Sequence, residues 1–262
     1  MNLNTTLKNI IDSDSESHSM YCNGIYHMSI KDYDNMKKYY NMAIECGNSC
    51  AMNDMGWYYQ YIEKDYNNMK KYYLLAIANN NTIAMYNMGW YYQYIEKDYD
   101  KMKEYYNMTI DYDSAMFAMG CYYESIKDYD NMKKYYNMTI ERGNSDAMNS
   151  MGCYYETIKD YDNMKKYYSL SIMKKNSDAM YNLGLYYQRN MDYDNMKKYY
   201  LLAIEQENCN AMYNMGWYYQ CIEKDYNNMK KYYNMAIEKG DVDAMHNLKS
   251  YYKNSKNILN LL

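Results

Sequence analysis

The 262-residue sequence predicts an all-α fold: a right-handed α-solenoid of seven helix-turn-helix hairpins closed by a C-terminal capping helix. Three observations predict it. Ala-Met dipeptides start at residues 51, 84, 115, 147, 179, 211 and 244, and Ser19-Met20 continues the register backwards. A period near 32 residues marks an array of repeats. Within each repeat the apolar residues follow helical spacing twice, as in Met52, Met55, Tyr59 and Ile62, then Tyr66, Met69, Tyr73 and Ala76. The breaks between these runs, such as Glu63-Lys64-Asp65, are too short for anything but an antiparallel turn.

Taken in chain order, residues 1–17 read as a polar, disordered tail, with Asp12 to Ser17 a run of Asp, Ser and Glu. Residues 18–252 form the repeat array, and residues 253–262 a tail that is helical if it folds back over the last repeat through Ile258, Leu259, Leu261 and Leu262. In each repeat an Asp, such as Asp65, is placed to cap the second helix, here termed helix B. Gly or Asn after helix B supplies a left-handed C-cap, and a small polar run caps the next first helix, helix A. Gly24, Gly56, Gly89, Gly120, Gly152, Gly184 and Gly216 all fall inside helix A. Each costs about 1 kcal/mol there, which implies close approach of helix B. Met36, Met69, Met102, Met132, Met164, Met196 and Met229 are expected to fill that space. The stretch from Ile110 to Ala115 is two residues shorter than its counterparts, which predicts a shortened helix B or a local change of twist. Both ends depart from the pattern as ends should, with Asn23 and His27 on the first face and Lys249 in place of glycine in the last helix.

Composition excludes several functional classes. A formal charge of −4 gives no global attraction to nucleic acid or anionic lipid. No apolar run is long enough to span a membrane, and the first residues lack a signal-peptide pattern, so a cytoplasmic location is expected. Seven cysteines without a CxxC pair indicate neither a disulfide framework nor a zinc site. No cofactor or metal is expected. The absence of proline and the 43 tyrosines and 28 methionines point to AT-rich coding more than to chemistry.

The pattern Met52-x2-Met55-Gly56-x2-Tyr59, followed by Met69-x3-Tyr73 and Ala76, resembles the tetratricopeptide repeat. The link Gly143-Asn144-Ser145-Asp146-Ala147-Met148 and the Asp-Tyr opening of helix B are closer to its Sel1-like branch. The resemblance covers residues 18 to about 252, without the usual closing proline, the glycine-bearing hairpin loop or the paired cysteines of secreted Sel1-like proteins. Repeats built on Asp-Tyr-Asn-Asn-Met-Lys-Lys-Tyr-Tyr also resemble those encoded by giant DNA viruses of amoebae, which would place the chain in host cytoplasm. The resemblance implies a non-enzymatic scaffold in which helices A line a concave groove that binds a peptide or a partner's helix.

By that geometry the groove residues are Trp57, Gln60, Tyr86, Trp90, Gln93, Phe117, Tyr181, Gln188, Tyr213, Trp217 and Gln220, aromatic anchors beside amide donors. Duplication of recent copies is the bland alternative, since the three tryptophan-bearing repeats also share a longer turn. A second candidate is the lysine ladder on helix B, from Lys37-Lys38 to Lys230-Lys231, read as a solvated outer wall or, alternatively, as a face for nucleic acid or an acidic partner. An expanded array without a specific ligand is the third reading. Catalysis is not expected: His18, His27 and His246 lie at the two ends of the array, and Cys121 and Cys153 read as inert thiols. Oligomeric state is not fixed by the sequence.

Overall fold

The computed structural model describes the backbone over residues 3–109 and 112–259, and side chains over 15–109 and 112–253. The chain divides into two compact units, Met1–Ile126 and Lys127–Leu262. The first holds α1 (Leu3–Ser29), α2 (Tyr33–Glu45), α3 (Ser49–Tyr58), α4 (Tyr66–Ala78), α5 (Thr82–Tyr91), α6 (Tyr99–Asn107) and α7 (Asp113–Ser125). The second holds α8 (Tyr129–Ile140), α9 (Ser145–Thr157), α10 (Tyr161–Met173), α11 (Ser177–Arg189), α12 (Tyr193–Glu205), α13 (Cys209–Tyr218), α14 (Tyr226–Glu238) and α15 (Val242–Leu259). In each unit consecutive helices pair into hairpins, and each hairpin packs on the next, as α3/α4 on α5/α6 and α9/α10 on α11/α12. All described elements are helical.

The caps form as the sequence predicts. Asp65 accepts from the amides of Asn67 and Asn68, and Asp160 from Asn163. At helix A, Asn48, Asn81, Asn144, Asn176 and Asn208 each accept from the amide of the alanine three residues on. Some of these asparagines also stitch neighbours together: Asn81 Nδ2 donates to the Ser49 carbonyl at 3.0 Å, and Asn176 Nδ2 to Asp146 at 2.7 Å. Gly47, Asn80, Gly143 and Gly240 adopt the left-handed conformation after helix B. Lys175 and Glu207 do the same without that freedom, and within hairpins the left-handed residue is Lys31, Lys64, Lys97, Lys159, Lys224 or Met191.

The helix A glycines face a different residue from the one expected. A Cβ on Gly56 would lie 2.4 Å from the Tyr73 ring, and one on Gly152 would lie 2.5 Å from Tyr168; the same holds for Gly24 with Tyr40, Gly89 with Tyr106, Gly184 with Tyr200 and Gly216 with Tyr233. The methionines expected there, Met69 and Met164 among them, are fully buried one turn earlier on the same face. A flat ring meets a bare backbone over a larger area than a thioether chain, so tyrosine takes the glycine.

Tyrosine is therefore the packing residue of the fold, and its abundance is chemistry as well as coding bias. Other tyrosines meet in two recurring kinds of pair. Within hairpins, rings lie nearly parallel: Tyr59 on Tyr72 at 5.4 Å and 10°, Tyr187 on Tyr199 at 5.6 Å and 3°. Between hairpins, the tyrosine opening helix B meets the next helix A, as Tyr66 on Tyr91 at 5.4 Å and Tyr161 on Tyr186 at 5.4 Å.

The longer turn of three repeats becomes a π-helical turn, over Tyr59–Glu63, Tyr92–Glu96 and Tyr219–Glu223. One inserted residue widens the last turn of helix A, and the glutamate it adds accepts from the helix A tyrosine: Tyr58 to Glu63, Tyr91 to Glu96 at 2.8 Å and Tyr218 to Glu223 at 2.5 Å. The shortening expected near residue 110 is present, since α6 has 9 residues where α4 has 13. Ile110 and Asp111 lie outside the described residues, as do the side chains of the 253–262 tail beyond Lys253. At the other end most side chains of the 1–17 segment also fall outside them, but Ser17 is buried and its hydroxyl accepts from Asn48 Nδ2 at 3.2 Å.

Candidate interaction site

In the first unit, Trp57 packs on Tyr61 at 5.1 Å, Tyr61 on Trp90 at 5.9 Å, and Trp90 on Tyr94 at 5.1 Å, each pair tilted by 40–50°. The four rings form one row across α3, α5 and their π turns. Trp57, Tyr61 and Tyr94 are 39%, 44% and 53% exposed, which separates them from the fully buried core tyrosines. Tyr61 and Tyr94 were not among the residues nominated from sequence. Their signal was present, one helical turn after each tryptophan, and the π turn keeps that spacing open to solvent.

The amides nominated beside these rings point inward. Gln60 accepts from the Tyr73 hydroxyl at 2.7 Å, Gln93 from Tyr106 at 2.9 Å, Gln188 from Tyr200 at 2.5 Å and Gln220 from Tyr233 at 2.6 Å. Gln60 is itself buried, and its Nε2 has no hydrogen-bond partner. A buried tyrosine hydroxyl needs an acceptor, and the glutamine supplies it. Tyr86 packs between Tyr106 and Tyr112, and Phe117 is half-buried on α7.

The remaining nominated residues belong to the second unit. Tyr181 stacks on Tyr200 at 5.8 Å, Tyr213 lies 5.8 Å from Tyr233, and Trp217 packs against the core around Met215 and Tyr218. Cys221 follows Trp217 where Tyr61 follows Trp57, so no ring row forms there.

Polar groups on helix A form a second line in the first unit. Asn87 Nδ2 donates to Asn53 Oδ1 at 3.0 Å, Asn53 donates to Asp54 at 3.1 Å, and the Tyr21 hydroxyl donates to Asp54 at 2.9 Å. Burial pushes the Asp54 carboxyl above the usual carboxylate range, against the opposing hydrogen bonds from Tyr21 and Asn53.

The lysine ladder is laid on rings. The first lysine of each pair sits over the next repeat's tyrosine, as Lys70 over Tyr91 at 5.0 Å and Lys165 over Tyr186 at 5.5 Å. The second sits over its own helix, as Lys231 over Tyr232 at 5.0 Å. Lys70 also pairs with Glu96, and Lys197 with Glu223 at 3.2 Å. These contacts fasten successive hairpins within each unit.

Family models described as "Tetratricopeptide repeat" match residues 83–113, 113–137, 145–173 and 177–208. Over these stretches the repeats match the tetratricopeptide model. Their fold is similar to that of a Sel1 repeat protein from Oxalobacter formigenes, at a TM-score of 0.64 and 23% identity over 82% of this chain and 98% of that one. It is also similar to a protective antigen of uropathogenic Escherichia coli with an SLR fold, at 0.61 and 20% over 92% of this chain, which spans only 58% of the E. coli protein. It is similar as well to PilF of Pseudomonas aeruginosa, at a TM-score of 0.57 and 16% identity over 72% of this chain and 91% of that one. At these identities the likeness is one of fold. No curated protein matches the sequence. No helix among the described residues is long and apolar enough to cross a membrane.

Proposed function

We propose that the chain is a protein-interaction scaffold whose first unit binds a peptide or helical segment of a partner protein along the face of α3, α5 and their π turns. Tetratricopeptide-type arrays generally serve as such scaffolds, presenting stacked helices as an extended wall. The observation that carries the reading is the partly exposed row Trp57, Tyr61, Trp90 and Tyr94, four rings in contact on a preformed surface. Large aromatic side chains that are already ordered lose little freedom on binding, and they dominate interface energetics. With the glutamines committed to core tyrosines, the rings are the anchors, and Asn53 and Asn87 form a polar line on the same two helices.

Peptides selected from a random library on the intact protein test this. Trp57→Ala combined with Trp90→Ala is expected to weaken selected peptides by a factor of roughly thirty or more, as hot-spot truncation does, with the circular-dichroism spectrum unchanged. Equal affinity in the double variant, or loss of helicity, overturns the reading.

A further inference from the structure

The row of rings ends at a hollow whose shape the chain itself explains. At the step from α3 to α5, Trp90 lies on Tyr61 and Tyr94 lies on Trp90, so the space between successive helices A is filled by the protein's own rings. The step from α5 to α7 has the same register, with Tyr99 on Tyr122 at 5.2 Å where the previous step has Tyr66 on Tyr91 at 5.4 Å. Cys121 stands in the place of Trp90, and Ser125 in the place of Tyr94. Replacing two rings by a thiol and a hydroxymethyl group opens a cavity of about 410 Å³ lined by Tyr94, Tyr99, Tyr122, Cys121 and Ile126. That size lies within the range of small-ligand sites.

We propose that this cavity receives one tryptophan side chain of a bound partner segment, which supplies the rung omitted at Cys121 and Ser125. The inference rests on the interaction face proposed above and names the anchor residue that face takes. An indole already occupies the equivalent step, held against Tyr61 and Tyr94. The cavity keeps one of those two ring walls, Tyr94 in the place of Tyr61, has Tyr99 and Tyr122 in its lining besides, and also offers a place for the indole N–H. Ser125 Oγ spends its proton on the Tyr122 carbonyl at 2.7 Å and keeps lone pairs to accept with, and Gln93 Oε1, which accepts the Tyr106 hydroxyl at 2.9 Å, has a second lone pair. Lys97 also lines the cavity, and an ammonium attracts the face of an indole. An aliphatic side chain would use neither the acceptors nor the cation.

The test is titration of the intact protein, labelled with ¹³C-tyrosine, with N-acetyl-L-tryptophanamide, followed by NMR with the Tyr94 signal assigned through Tyr94→Phe. Saturable shifts at Tyr94, Tyr99 and Tyr122 are expected, at least fivefold weaker with N-acetyl-L-leucinamide. Cys121→Trp, which rebuilds the rung, should weaken binding tenfold or more, whereas Cys121→Ser should leave it intact. Should Cys121→Trp fail to fold, Ser125→Tyr fills the same space and is read in the same way. Absence of saturation, equal binding of the leucine amide, or indifference to the filled cavity overturns the assignment. Peptides that depend on Trp57 and Trp90, together with an amide that leaves Tyr94 unmoved, sink the cavity and leave the interaction face standing. A saturable amide without any such peptide leaves the cavity an indole site and removes the face.

Discussion

Gly152 lies directly beneath the Tyr168 ring, so close that a Cβ at residue 152 would stand 2.5 Å from both Cδ1 and Cε1. A helix-interior glycine normally gains about 1 kcal/mol on replacement by alanine. Overpacking against a fully buried, rigid ring costs about 1–3 kcal/mol. Gly152→Ala is therefore expected to lower stability by about 0–2 kcal/mol, the difference of the two, seen as a lower urea midpoint. In a double-mutant cycle, Tyr168→Leu should cost less in the alanine background than alone, because the two side chains compete for one space. A Gly152→Ala protein more stable than the parent would contradict the close approach.

Lys159 holds the left-handed conformation, at φ 61°, in the α9/α10 turn. A Cβ there carries a steric cost of about 1–2 kcal/mol that glycine avoids, offset in part by the greater freedom of glycine in the unfolded chain. Lys159→Gly should raise the thermal midpoint. An unchanged or lower midpoint would mean that the lysine side chain contributes more than its backbone costs.

Glu63 is the residue by which the turn over Tyr59–Glu63 exceeds the short form at Glu124-Ser125-Ile126. Deleting Glu63 should convert the π turn to ordinary α-helix while the α3/α4 hairpin still forms. The cost is the hydrogen bond that the buried Tyr58 hydroxyl gives the carboxylate, about 1.5–3 kcal/mol. A crystal structure of the deletion variant checks this directly, and a disordered α3/α4 turn would show that the wide turn is required.

Alkaline pH should unfold the array only after ordinary surface tyrosines and lysines have begun to ionise. Burial pushes the core hydroxyls of Tyr73, Tyr106 and Tyr168 well above the ordinary tyrosine value of 10.0, and those of Tyr218 and Tyr233 up to about 12. The neutral phenol is thus favoured by the fold. Below pH 10 that contribution is complete; above it the unfolded chain holds fewer protons than the native one, so stability falls as pH rises toward and beyond 12. With tyrosinate absorbance and helicity followed together from pH 9 to 13, the exposed tyrosines should ionise first and the later rise in absorbance should coincide with the loss of helicity. Core tyrosines ionising while helicity persists would sink the prediction.

The repeat period, the two helices per repeat and the caps at Asp65, Asp160 and Asn144 were legible because each depends on groups a few residues apart. A carboxylate or amide three residues before an amide proton makes the same contact in any context. Tertiary structure alone decided which side chain meets a neighbouring helix. Met164 and Tyr168 share one face of α10, and the helix approach, not their spacing, sets the ring over Gly152. Gln60 turned inward because the buried Tyr73 hydroxyl required an acceptor, a demand that arises only once the core closes. Tyr61 and Tyr94 became the exposed rungs because a single inserted residue relaxed into a π turn, and the hollow at Cys121 exists because packing between helices, unlike a hydrogen bond within one, registers the volume that a smaller residue leaves behind.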